Sequence, residues 1–262
     1  MTTTDTTLPP LEPPRRFHFD WILPVLFGPR RAFEKIAGQT GDVWLTPILV
    51  LMLLAVVQAV AAGPAKQAAG LSGSASLPPN YQYYTPEQQM QFQQAQAVTS
   101  GPVFVYVFPA VVAALEVWVG WLLVVGLLHL VLTMLGGRGT TRQAMNLVAW
   151  ASLPFAVRAA VRAVYLLSSH QLIGRAGLAG FAPADGGTVS LYVLQLLSFV
   201  DLYLVWQALL LVMGVRAGDK LPPGKAWSGV LITLVIVVLL EALPGFALAK
   251  LGSLSTIQPF FF

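Results

Sequence analysis

Between Val103 and Leu135 the chain runs for 33 residues with only Glu116 and His129 able to carry charge near neutral pH. No soluble fold hides such a run at its surface. A membrane crossing, by contrast, needs about 20 mostly apolar residues. Four more stretches meet that criterion: Trp44 to Ala62, Leu147 to Ser168, Val189 to Val215 and Trp227 to Ala249. Composition agrees. Of 262 residues, 56% are hydrophobic and 10% charged, with a mean hydropathy of +0.71, whereas soluble domains average about 25% charged. The expected architecture is therefore an all-α integral membrane protein of five transmembrane helices. The 103–135 stretch is too long for one span and too short for two, so it should project past the bilayer.

Lys and Arg set the orientation. With the N-terminus in the cytoplasm, Arg15, Arg16, Arg30, Arg31, Lys35, Arg138, Arg142, Arg216, Lys220 and Lys225 fall inside, while Lys66, Arg175 and Lys250 fall outside. The C-terminus then faces out. Residues 1–19 read as a disordered Thr/Pro-rich tail without a cleavable signal, 20–250 as the membrane domain, and 251–262 as an external tail.

Pro29 to Gly38 reads as a short helix with Pro at its first position. Phe33, Ile36 and Ala37 would share one face, and Arg30, Arg31, Glu34 and Lys35 the other. That pattern suits an interfacial helix on the inner leaflet, with Arg30, Arg31 and Lys35 at lipid headgroups and Trp21 and Phe27 as aromatic anchors. Ala55, Ala59 and Gly63, and separately Ala156 and Ala160, form small-residue stripes for close helix packing. Pro109, Pro154 and Pro244 lie within spans, where kinks are expected.

The loops hold no recognisable catalytic motif. Gly136-Gly137-Arg138-Gly139-Thr140-Thr141 is glycine-rich but lacks the lysine of a phosphate loop. Gly218 to Lys225 has five residues between its glycines where four are needed. His18, His129 and His170 are scattered, and there is no cysteine. The expectation is a non-enzymatic protein without metal, cofactor or nucleic-acid partner. The bilayer is its first partner, with anionic headgroups and a protein partner on the cytoplasmic side, and a homo-oligomer stays open.

The sharpest feature is the ionisable set inside the spans: Glu116, Arg158, Arg162, Asp201 and Glu241. Charges in the bilayer are expensive and usually pair or line a cavity. Arg158 and Arg162 are four apart and share a helix face. All five are expected to meet in one layer, either as a structural pairing that fixes helix contacts or as the pathway of a small transporter or channel.

Three segments resemble the Ypt-interacting protein (Yip) domain family: FGPRRAFEKIAG at 27–38 with WLTPILVL at 44–51, LGGRGTTRQAMNLVAWASLP at 135–154, and WQALLLVMGVRAGDKLPPGKA at 206–226. The motifs look closest to the prokaryotic branch, which implies a multi-pass protein of a prokaryotic inner membrane. The resemblance implies five spans, a cytoplasmic N-terminus and an external C-terminus. It also implies a partner-binding or membrane-organising role like that of the eukaryotic trafficking members. Gly136, Gly137, Gly139, Ser152 and Pro154 match its motif positions as backbone-shaping residues.

Overall fold

A computed structural model describes residues 17–71, 81–183, 187–219 and 221–254. Most of the N-terminal tail, Lys220 and the C-terminal tail from residue 255 lie outside the described residues. The described residues form helices and no strand. The helices are α1 (Ile22–Phe27), α2 (Pro29–Ala37), α3 (Leu45–Ala61), α4 (Gly63–Leu71), α5 (Pro86–Thr99), α6 (Phe108–Met134), α7 (Thr141–Ala151), α8 (Leu153–Ser169), α9 (Thr188–Phe199), α10 (Leu202–Gly218) and α11 (Pro223–Leu254).

Four helical stretches are long and apolar enough to cross a membrane: Leu45–Ala68, Val103–Met134, Thr141–Ser169 and Pro223–Lys250. The third begins six residues before the expected Leu147, because Thr140 and Gln143 form a reciprocal capping box that starts α7 at Thr141. The fourth expected span, Val189 to Val215, is broken. Thr188–Phe199 and Leu202–Gly218 meet at 59°, and the pair makes a fifth crossing only if taken as one bent span. Pro109 and Pro154 stand in the first turns of α6 and α8, where a missing N–H costs nothing. A π-helical stretch, Val103–Val107, takes up the irregularity before Pro109, and Pro244 lies inside α11.

α3 packs against α8 and α6, α6 against α11 and α7, and α10 against α2, α7, α8 and α11. Small residues permit the closest approaches. Ala61 meets Ala163 and Leu166, and a Cβ at Gly63 would overlap the Tyr106 ring. On α8 the buried small residues are Ala156, Ala159 and Ala163, while Ala160 is only half-buried. Leu53 and Val57 on α3, Val119 and Leu122 on α6 and Leu231 and Val235 on α11 stay exposed. In a bilayer these positions face lipid at no cost.

The expected amphipathic helix is α2, but its apolar face does not meet lipid. Phe33 is 0% exposed and Ile36 1%, because α2 lies on α10 and α7. Gly214 makes the room: a Cβ there would sit 3.1 Å from the Phe33 ring. Trp21 is also buried, 5.6 Å from the Trp150 ring, with Lys35 Nζ 4.6 Å above its own ring. Trp21 is therefore no membrane anchor. Leu23 and Phe27 on α1 are exposed, Phe27 at 80%.

The extended residues before the first span are held by one face of α7. Arg142 donates to the Thr40 carbonyl at 2.9 Å and pairs with Asp42 at 3.2 Å. Asn146 donates to the Gly41 carbonyl and accepts from the Val43 N–H, both at 3.0 Å, and Trp150 Nε1 donates to the Val43 carbonyl at 3.0 Å. Residues four apart on one helix face thus hold a non-helical stretch of backbone that runs from exposed Thr40 to buried Val43. Asn146→Ala should strand a buried N–H and a carbonyl and lower stability by about 2–4 kcal/mol. Thermal unfolding in detergent checks this, and an unchanged midpoint would show the latch to be dispensable.

Candidate functional site

Asp201 explains the break in the fourth span. Its backbone is extended (φ −142°, ψ 179°), and its Oδ1 accepts from the Leu204 N–H at 3.0 Å as the N-cap of α10. A helix interrupted inside a membrane exposes N–H groups that hydrocarbon cannot satisfy, so the break needs a built-in acceptor. The second carboxylate oxygen accepts from Arg158 at 3.0 Å and lies 3.7 Å from Arg162. Both arginines are half-buried on one face of α8, and Arg158 also stacks over the Phe155 ring at 4.5 Å. The positive end of α10 adds to the field around the carboxylate. Asp201 therefore has both oxygens engaged.

Of the five expected charges, Arg158, Arg162 and Asp201 form the ion cluster. Glu241 on α11 is within electrostatic reach of Arg158 and of Glu116 but makes no ion pair within 4.0 Å. Its Oε1 would lie 3.3 Å from a Cβ at Gly120 of α6. Glu116 is exposed on α6. Among the described residues the ion pairs thus join three of the five charges, with Glu241 in electrostatic reach of Arg158 and Glu116. The arginines collect on the acid that caps a helix, because that acid is fixed at a backbone break while the two glutamates ride on continuous helices.

A second rung joins the same two helices. Ser152, between α7 and α8, donates to the Val148 carbonyl at 2.8 Å and accepts from Gln207 Nε2 of α10 at 3.2 Å. Ser152 lies six residues before Arg158, and Gln207 six after Asp201. Antiparallel α8 and α10 are therefore pinned twice, about 9 Å apart along their axes. Gln207 is 2% exposed. The sequence offered one signal for it: a lone amide in an apolar run has to find a partner.

At the ends carrying α3's start, α6's end, α7's start and the α10–α11 turn, the loops brace one another. The Gly139 N–H donates to Asp219 at 2.7 Å, and Lys225 donates to the Leu135 carbonyl at 2.9 Å. The glycine positions follow. Gly136 has φ +91°, a Cβ at Gly137 would press the Leu132 carbonyl at 2.9 Å, and a Cβ at Gly139 would collide with the Asp219 carboxylate. Asp219 carries no local signal of this role, because its loop and the Gly136–Thr141 loop lie about 80 residues apart and only folding brings them together. Arg30, Arg31, Arg138 and Arg216 are exposed on this face without a carboxylate partner among the described residues. Among the described residues no three His, Asp or Glu side chains converge to hold a metal.

A family model described as the Yip1 domain matches residues 24–243. No curated protein and no solved structure matches the chain.

Two predictions follow from the site. Asp201→Asn keeps a competent cap but removes the charge, and should cost about 2–4 kcal/mol because two half-buried guanidiniums lose their counter-ion. Asp201→Ala should cost about 1 kcal/mol more through the lost cap. Combined with Arg158→Gln, Asp201→Asn should destabilise less than the sum of the single changes. Thermal unfolding of the four proteins measures this, and strict additivity would show no coupling.

At Asp219, burial pushes the carboxyl above its ordinary value, against the Gly139 N–H and the His129 charge, which pull it down. A carboxyl whose pKa is higher folded than unfolded binds its proton more tightly when folded. Its contribution to stability is therefore lost as pH rises from about 4 through the raised value. Asp219→Asn should flatten that decline in unfolding midpoints measured between pH 4 and 7. An unaltered slope would rule Asp219 out as its source.

Proposed function

The chain belongs to the Yip1 domain family, and from that premise we propose that it is a non-catalytic, partner-binding protein that organises its membrane through the loop-bearing face. The observation that carries this reading is the braced surface made by Gly139–Asp219 and Lys225–Leu135, with the cations Arg30, Arg31 and Arg138 at its rim unpaired among the described residues. Cross-loop bracing of this kind rigidifies a surface that would otherwise be three mobile connections, and a preorganised surface binds with less entropic loss.

The same face carries Lys35, Arg142, Arg216 and Lys225, against Lys66, Arg175 and Lys250 toward the opposite end of the bundle. The Lys/Arg rule puts the richer face in the cytoplasm of a prokaryotic-type cell, and the C-terminus outside. Arg30 and Arg31 then reach the inner-leaflet headgroups beside exposed Leu23 and Phe27, while Lys35 is spent on Trp21. The partner is a protein that meets this rim in a trafficking-like or membrane-shaping role. The ion cluster is structural in this reading, since one Asp201 oxygen caps α10 and the other is held by Arg158 with Arg162 nearby.

The cysteine-free sequence makes the test direct. Single cysteines at Arg138 and Arg175 should be labelled by an impermeant thiol reagent from opposite sides of the membrane, Arg138 from the cytoplasm. A photo-cross-linker at Arg138 should give a discrete protein adduct in native membranes, and one at Arg175 should not. Purified protein in liposomes should pass no Na+, K+ or H+. A flux abolished by Asp201→Asn would instead make the chain a small transporter.

A further inference from the structure

A groove of about 390 Å³ runs along one flank of the bundle between α10 and α11, closed at its far end by Leu196 of α9 and Val200 just after it. Its lining is wholly apolar. On α11, Trp227, Leu231, Val235 and Leu239 follow one another at four-residue spacing, and Val205 and Leu209 face them from α10. All six are more than one-third exposed, so the groove opens sideways into the bilayer. Trp227 to Leu239 spans about 18 Å along the axis, close to the roughly 15 Å depth of one leaflet.

The end at Trp227 is the loop-bearing end, and a cation stands there. Arg216 follows Leu209 by seven residues and Val205 by eleven. At about 100° per residue it therefore lies within about 20° of both around the α10 axis. It is exposed, with no carboxylate or hydrogen-bond partner among the described residues. Two other described charges of this turn are committed, Asp219 to the Gly139 N–H and Lys225 to the Leu135 carbonyl.

We propose that this groove binds one anionic glycerophospholipid of the leaflet on the loop-bearing side. An acyl chain lies along Leu231, Val235 and Leu239, the phosphate meets Arg216, and Trp227 stands at the level of the glycerol. Tryptophan favours that depth because its ring is apolar and its N–H polar, and a basic side chain at a helix end selects anionic headgroups. A transmembrane helix is the poorer occupant. Helices pack in membranes through small residues that let backbones approach, and the groove offers only Ala208 among leucines, valines and a tryptophan. A flexible chain fits walls of branched side chains. The 59° bend at Asp201 sets the far end, so the ion cluster shapes the site without touching the ligand.

The test uses the full chain, delipidated in detergent and titrated with dioleoyl phosphatidylglycerol or dioleoyl phosphatidylcholine. Native mass spectrometry reads the first bound lipid. The phosphatidylglycerol complex should be preferred, and Arg216→Ala should weaken it about fivefold. Arg216→Lys should keep most of the preference, and Arg175→Ala, at the other end of the bundle, should change nothing. Val205→Trp, at an exposed position the fold tolerates, should fill the groove and weaken both lipids. Equal affinity for the two lipids in the wild type, or affinity indifferent to both Arg216→Ala and Val205→Trp, overturns the proposal. A Val205→Trp protein that loses a dimer while keeping its lipid would overturn it too, by giving the groove to a second copy.

Discussion

One carboxylate sets the shape of this bundle. A chain that bends by 59° between two apolar helices leaves unpaired N–H groups where no water can reach them. Asp201 satisfies the start of α10 directly, and its remaining charge is balanced by Arg158 and Arg162. Neither half of the arrangement works alone. An uncharged cap would leave two guanidiniums on α8 without a counter-ion, and a capping aspartate without arginines would be a bare charge in hydrocarbon. Cap and ion pair are solved by one side chain, and α8 and α10 are thereby fixed against each other.

The second rung works by the same logic with neutral groups. Ser152 lies between α7 and α8, and its hydroxyl both returns to the Val148 carbonyl and receives Gln207. Each rung thus joins a helix junction to the side of the neighbouring helix: Asp201 at the α9–α10 break to α8, and Ser152 at the α7–α8 junction to α10. From α7 the path continues through Asn146 and Trp150 to the backbone ahead of the first span. Polar contacts therefore run from the ion cluster to the loop-bearing face through side chains that are satisfied at every step, and no buried side-chain N or O atom among the described residues is left without a partner.

What the sequence disclosed divides along this line. Helical class and the run of apolar stretches were legible because hydropathy is local, and so were the proline start of α2 and the arginine pair four residues apart. The destination of each polar group was not. Phe33 and Ile36 formed an apolar face whose period is the same whether it meets lipid or protein, and only Gly214 on a distant helix decides for protein. Asp201 read as a mid-span charge because a continuous apolar run carries no mark of a bend, although an aspartate followed by a good helix former is also a start signal. Glu116 and Glu241 share type and depth with Asp201, but type and depth do not say which carboxylate an arginine pairs with, and both ion pairs form at Asp201.

The placement of the charges bears on where activity resides. A transport path needs a titratable or coordinating group that can change partners as the cargo passes. Asp201 is held by a backbone N–H, by Arg158 and by the nearby Arg162, so releasing it would uncap α10 and unbalance α8 together. Such a group resists motion. The loop-bearing face has the opposite character: its backbone is braced by Asp219 and Lys225, while Arg30, Arg31, Arg138 and Arg216 have no carboxylate partner among the described residues. Rigid support beneath unpaired charge is the arrangement that recognises a partner or an anionic surface, and the buried ions are what keep that support in register.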